Sequence, residues 1–352
     1  GDANLSASED DAVTISGTSA NVASGGTVTI TVSDTDGSTA DVTGSATVDG
    51  SGNWTTTSGL NLSSLVNGTL TVSVSVRANS QTATDTVSVA HDTVSPLIAI
   101  AAGPSASDTT PTINGTTDLS SGSTITAAID TDASGSTDVT FTTTVQSDGS
   151  WSINTETATA ASGTFPSSGL TAGSKVTVSG SDAAGNSTSM IATTVTAISN
   201  DTGVSSVDFI TSDSTLTFTG KAEPSSSVAV SLGGGLIGTV TADGSGNWTL
   251  TYGTALAGNY TLTAVATKST GVTATATQTF TVDVSAPAGA ISSITSDSAG
   301  ASATDFITSD NTLVFTGTAE ASSAVLVVLT DSSNATTFSA TVTATGGNWS
   351  VD

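Results

Sequence analysis

Carboxylates are the groups through which this chain could do chemistry, and nearly all of them are aspartates. Of 30 acidic residues, 26 are Asp and 4 are Glu, so the charge sits in the short side chain that closes turns and coordinates hard cations. The acids recur at fixed places. Asp92 opens DTVSP, Asp118 closes TINGTTD and Asp182 lies in SDAAGNST. Asp34 and Asp36 form a DTDG stretch, with Asp130 and Asp132 in a similar DTDASG. Asp201 lies in NDTGVS with Glu223 closing LTFTGKAE, and Asp283 opens DVSAP with Glu320 closing LVFTGTAE. This bias favours loops with metal ligands over acidic helices. The DTD stretches begin like an EF-hand loop but lack its glutamate at the twelfth position, so they read as turns or junction ligands.

Other chemistries are poorly provided for. The one histidine, His91, stands beside a linker sequence and reads as an exposed linker residue rather than a general base. With no cysteine there are neither disulfides nor thiolate metal sites. No GxSxG elbow, HExxH helix, P-loop or dinucleotide fingerprint occurs. The reading is therefore not an enzyme. Against the acids stand four basic residues, Arg77, Lys175, Lys221 and Lys268, for a net charge of -26. Nucleic acid and anionic lipid, which need clustered Lys or Arg, are poor partners. No run approaches the roughly 18 apolar residues of a membrane span, so direct membrane insertion is not expected, and Gly1-Asp2-Ala3-Asn4 is no signal peptide.

The elements that must position these acids are announced by repetition. Trp54, Trp151, Trp248 and Trp349 each follow a Gly/Asn turn such as DGSGN, 97, 97 and 101 residues apart. The block before each Trp recurs as TINGTTD, LTFTGKAE and LVFTGTAE, with a degenerate VTISGTSA copy carrying Ala20 at the acidic position. Between the blocks Val, Ile, Leu and Ala alternate with Thr and Ser at period two. In the third unit strands are expected near SSVDFI, TLTFTG, SVAVSL, IGTVTA, WTLTY, YTLTAVA and TATQTFTV. Seven short strands in about 90 residues describe an immunoglobulin-like sandwich. The fold class is all-β: tandem seven-stranded Ig-like sandwiches over residues 1–91, 92–200, 201–282 and 283–352, the last incomplete, strung as separate beads. Each Trp reads as a core anchor for a small aliphatic core.

Together the blocks GKAEPSS from Gly220, GNW at Trp248, SDAAGNST around Asp182 and DVSAP at Asp283 resemble the bacterial Ig-like domains repeated through giant secreted surface and biofilm adhesins, the type I secreted, often RTX-linked family. The resemblance covers essentially the whole chain. It implies an extracellular, cell-surface extender that projects a distal binding module, and structural calcium at the joints between neighbouring modules. In such a sandwich the linker acid, the acid after strand B and any acid in the FG loop converge at one pole: Asp92, Asp118 and Asp182 before the second module, with Asp34 and Asp36 approaching from the first. A hard cation takes six to eight oxygens from such groups; the other reading is that each Asp only closes its own turn. Before the third module Asp201 and Glu223 remain, but Lys268 aligns with Asp182, so a fixed cation replaces the metal or leaves a weaker, more flexible joint. Asp283 and Glu320 repeat the pattern before the fourth.

The chain ends three residues past Trp349, whereas the first and third units run about 35 residues beyond their Trp, so strands E to G of the fourth unit are expected to be missing. Either the natural chain continues, or a neighbouring copy completes the sandwich. The second possibility defines the alternative function, a self-assembling surface-layer, sheath or filament subunit with homotypic contacts.

Overall fold

A strand with one face on a core and the other in water alternates Val or Ile with Thr or Ser, and this chain does so through most of its length. In the computed structural model, which describes residues 4–105, 108–171, 173–202, 205–286, 288–295 and 305–352, every regular element among them is a β-strand. The chain gathers into two compact units, one of Gly1–Thr196, Thr219–Leu250 and Leu262–Gln278, the other of Ala197–Phe218, Thr251–Thr261 and Thr279–Asp352.

The Trp54 sandwich comprises β1 (Asn4–Leu5), β2 (Ser16–Thr18), β3 (Thr27–Ser33), β4 (Val42–Thr47), β5 (Asn53–Thr55), β6 (Gly68–Ala78) and β7 (Gln81–His91). A five-stranded sheet, β1-β7-β6-β3-β4, stands against the two-stranded β2-β5. On β3 the alternation is complete: Val28, Ile30 and Val32 are buried beside Trp54, while Thr27 and Thr29 face water. Each such aliphatic contributes about 1.5–3 kcal/mol on burial. His91 corrects the sequence reading: it is not an exposed linker residue but the buried last residue of β7, its Nε2 3.2 Å from Asp10 Oδ2, which is also buried.

The Trp151 sandwich comprises β8 (Ile98–Ala102), β9 (Thr112–Thr117), β10 (Thr124–Asp130), β11 (Val139–Thr144), β12 (Ser150–Asn154), β13 (Ser162–Gly163), β14 (Lys175–Ser181) and β15 (Ser187–Ile191). Its sheets are β13-β11-β10-β14-β15 and β12-β9-β8. Around Trp248 lie β16 (Thr194–Ile198), β17 (Ile210–Thr211), β18 (Leu216–Lys221), β19 (Ser227–Leu232), β20 (Gly235–Thr241), β21 (Asn247–Tyr252), β22 (Gly258–Thr267) and β23 (Thr273–Val282). Six of the strand expectations there hold. The seventh does not: Ser206–Phe209 is a bend and only Ile210 begins a strand, because Phe209 is held at positive φ. The strand that pairs with β18 is β16 instead.

Around Trp349 lie β24 (Ala290–Ile294), β25 (Phe315–Thr318), β26 (Ala324–Thr330), β27 (Thr336–Thr343) and β28 (Asn348–Val351), in sheets β24-β25-β28 and β26-β27. The residues after the turn at Gly346–Gly347 do form a strand on β25, so strand E is present here, contrary to the expectation that it is missing. Pro287 of the DVSAP joint and Gly203–Val204 of the NDTGVS joint lie outside the described residues.

All four Trp are core residues, 8%, 2%, 1% and 6% exposed in chain order. Each lies under a strand-B glycine, Gly17, Gly115, Gly220 and Gly317, where an added Cβ would overlap the indole. The repeated Gly and Trp are thus one packing device.

Candidate functional site at the module junctions

The first junction is organised by Asn186, a buried side chain in the turn between β14 and β15. Its Nδ2 donates to the Asp92 carbonyl at 2.7 Å and to Asp182 Oδ2 at 3.0 Å, while its Oδ1 accepts from the Ala7 N–H at 3.0 Å. Asn4 Nδ2 adds a bond to the Ala183 carbonyl at 3.0 Å. Upstream, β1 lies parallel to the end of β7, and the Asp92 N–H donates to the Leu5 carbonyl. The loop of the second sandwich is therefore bonded to the first through main-chain groups on both sides of the linker.

Asp92, Asp118 and Asp182 line one cleft of about 1040 Å³ beside this junction, together with Asn4, Ser120 and Ser187. Each carboxylate also closes local backbone. Asp182 Oδ1 accepts from the Ala184 and Asn186 N–H groups, Asp118 Oδ1 from Leu97 N–H and Asp92 Oδ1 from Val94 N–H. Among the described residues no cationic side chain pairs with any of the three, and the ligand atoms are all hard oxygens, a set whose chemistry fits calcium. They do not, however, form a set with ligand atoms within 4.8 Å of one another. Among the described residues that closeness is found at Asp130, Asp132 and Asp138, in the turn between β10 and β11. There Asp130 is buried and accepts from the Ser134 and Gly135 N–H groups. Asp34 and Asp36, in the corresponding turn of the first sandwich, are closed on Val66 N–H and on Ser38 respectively, and do not line the junction cleft.

The second junction uses a different chemistry. Lys268 Nζ stands 3.1 Å from Glu223 Oε1; the Lys donates to the Ser189 carbonyl at 3.0 Å and Glu223 Oε2 accepts from the Ile191 N–H at 2.9 Å. Ser189 and Ile191 lie on β15, the outer strand of its sheet, and an outer strand presents unpaired N–H and C=O groups. The ion pair therefore satisfies two of them. Alongside it Thr273 and Ala274 pair in parallel with Ala99 and Ile100, so one sheet runs β12-β9-β8-β23-β22-β19-β20 from the second sandwich into the third. These two modules are not separate beads.

Asp201 is not in the Glu223 cluster. Its Oδ2 accepts from Phe209 N–H at 3.1 Å, and its Oδ1 is buried with no hydrogen-bond partner among the described residues. Burial raises its pKa, and the nearby Asp208 carboxylate adds to the rise. Asp283 is half-buried; the Ser285 N–H and hydroxyl hold its pKa low, with a smaller contribution from the Glu320 carboxyl.

Sequence reasoning missed Asn186 although SDAAGNST contains it, because Asn in a turn has an ordinary backbone role. It also missed Asp10, which nothing in its surroundings marks, and Asp138, whose signal is the shared DTD…DVT pattern at Asp34–Asp41 and Asp130–Asp138.

Two stacked sheets per module, a strand paired in parallel with the last strand, and a Trp beneath the strand-B glycine define an Ig-like β-sandwich protein. Residues 191–284 match the family described as Bacterial Ig-like domain. Solved structures similar to the chain include the tetra-tandem repeat in the extending region of a large adhesion protein, 25% identical over 97% of this chain and 87% of that one with a TM-score of 0.23. Another is described under host cell surface retention of a 1.5-MDa bacterial ice-binding adhesin, 22% identical over 81% and 95% with a TM-score of 0.31. A third is a biofilm-associated protein BSP domain, 13% identical over 80% and 69% with a TM-score of 0.22. No curated protein matches the chain.

Proposed function

We propose that the chain is a structural extender segment of a bacterial cell-surface adhesin, a row of non-catalytic Ig-like modules that holds a binding module away from an extracellular surface; of the bounds expected from the sequence, 1–91, 92–200, 201–282 and 283–352, the one at 200 moves upstream of β16, which pairs with β18 of the third module. The observation that carries this reading is that both described junctions are bonded through main-chain groups, by Asn186 at the first and by Lys268 with Glu223 at the second. Side-chain clamps on backbone transmit tension into the sheets themselves rather than into flexible side chains, which is what a spacer under load requires. A catalyst would instead gather a base and a nucleophile in a pocket.

Calcium is part of the proposal. Asp92, Asp118 and Asp182 would hold it at the first junction, and the ion would draw linker, strand-B end and turn together by neutralising three like charges. At the second junction Lys268 supplies that positive charge from within the chain.

Small-angle scattering and sedimentation of the chain, with calcium and with chelator, test the reading. The expected result is a monomer whose thermal midpoint rises with calcium, a rise lost in the Asp92→Asn, Asp118→Asn double variant. Identical midpoints in both buffers would remove calcium from the proposal, and large sedimenting species would replace the extender with a self-assembling subunit.

A further inference from the structure

Asp92 and Thr93 share one peptide group, and it is held from both sides. Its carbonyl accepts from Asn186 Nδ2 at 2.7 Å, in the turn between β14 and β15 of the second sandwich. Its N–H donates to Asn67 Oδ1 at 3.1 Å, in the loop that leads into β6 of the first, and the Thr93 hydroxyl donates to the same oxygen at 3.0 Å. The flanking groups are held as well. The Asp92 N–H donates to the Leu5 carbonyl at 3.0 Å, and the Val94 N–H to Asp92 Oδ1 at 3.0 Å. The chain therefore passes from the hydrogen bonds of one sandwich to those of the next within a single peptide plane.

A peptide group is planar and stiff, so a linker bends only by rotation about the bonds on either side of such planes. For this plane they are the Cα–C bond of Asp92 and the N–Cα bond of Thr93. Turning the plane swings its carbonyl and its N–H in opposite directions, and so strains the bond to each sandwich together. The two asparagines serve different halves of this grip. Asn186 is buried and its amide is used in full, Nδ2 on the Asp92 carbonyl and on Asp182, Oδ1 on the Ala7 N–H. Asn67 is exposed and contributes its oxygen. Position 67 thus calls for an acceptor, which a carboxylate also supplies, whereas position 186 calls for a donor, which a carboxylate lacks.

We propose that Asn67 and Asn186 lock the first junction without metal, by fixing the Asp92–Thr93 peptide plane between the two sandwiches. The lock deepens the extender reading and rests on it for its purpose: stiffness at this joint belongs to the polypeptide, and a cation on Asp92, Asp118 and Asp182 adds stability to an alignment already set. Asn186, bonded to Asp182 as well as to the Asp92 carbonyl, couples the carboxylate cleft to the plane.

The chain has no cysteine, so Thr43→Cys and Thr144→Cys, at exposed strand positions of the first and second sandwich, carry a pair of nitroxide labels whose distance distribution is read by pulsed electron resonance on the whole chain. In chelator the distribution is expected to be narrow and to keep its width when calcium is added. Asn67→Ala is expected to broaden it about two-fold in chelator through the lost bonds. Asn67→Asp, which keeps the acceptor, is expected to leave it narrow, and Asn186→Asp, which removes the donor, to broaden it. Emission of Trp54 and Trp151 checks that both cores stay intact in each variant. Asn67→Ala changes an exposed loop residue, so it decides the matter even where a change at buried Asn186 harms folding. A distribution that is broad in chelator and narrows with calcium in the labelled but otherwise unaltered chain overturns the proposal, and so does an Asn67→Ala variant as narrow as that chain. Sedimentation decides the extender reading separately: large species would remove the extender, while a narrow distribution in chelator would still uphold the lock.

Discussion

Lys268 and Glu223 meet at 3.1 Å and each uses a further bond on the outer strand β15, the Lys on the Ser189 carbonyl and the Glu on the Ile191 N–H. The pair acts as a side-chain substitute for a strand, capping an edge that would otherwise keep polar backbone groups unsatisfied. Both side chains are about a fifth to a quarter exposed, so solvent screens the pair only in part.

Glu223→Gln and Lys268→Met are each expected to destabilise the Trp248 module by about 1–3 kcal/mol, since either leaves a partly buried partner unpaired. Chemical denaturation followed at Trp248 gives the values, and the double variant is expected to show a coupling of at least about 0.5 kcal/mol. Strict additivity would show that the two residues do not act as a unit.

Asn186→Ala removes three hydrogen bonds at the first junction and is expected to cost about 1–3 kcal/mol. The cost is local, so amide exchange should accelerate at Ala7 while the core amides beside Trp151 keep their protection. Unchanged exchange at Ala7 would exclude Asn186 as the organiser.

For Asp201 the folded carboxyl binds its proton more tightly than the unfolded one, because burial disfavours the anion. Its stabilising contribution is therefore complete below the ordinary carboxylate range and is lost as pH rises through the raised folded pKa. In chelator, Asp201→Asn is expected to raise the thermal midpoint at neutral pH, with the gain shrinking as the buffer is taken below that range. A midpoint that falls at neutral pH would contradict this sign.

Asp10→Ala leaves His91 Nε2 without its partner in the interior of the first sandwich and is expected to cost about 1–3 kcal/mol there. Fluorescence of Trp54, isolated by replacing the other Trp with Phe, reports it. A loss below 1 kcal/mol would mean that water reaches the imidazole.

Much of the fold is legible because its signals are local. Val28, Ile30 and Val32 announce a one-sided strand by position alone, and the four Gly–Trp pairs announce the same packing four times. The junction acids are less legible. Asp92, Asp118 and Asp182 do face one cleft, yet Asp34 and Asp36 turn into their own loops, and nothing in a DTDG string distinguishes an oxygen offered to a neighbour from one bonded to Val66 or Ser38. His91 was misread because a linker neighbourhood suggests exposure, whereas its burial depends on Asp10, 81 residues away.

Residue order alone determined that this protein is a series of acidic β-sandwiches marked by Trp, since side-chain alternation and turn residues act over a few positions and repeat with the module. Tertiary structure alone decided how the modules join: Asn186 bonded across a linker, an ion pair laid on a strand edge, and β8 paired with β23. Those contacts depend on how whole sheets are placed against one another, and no local period encodes a rigid-body placement.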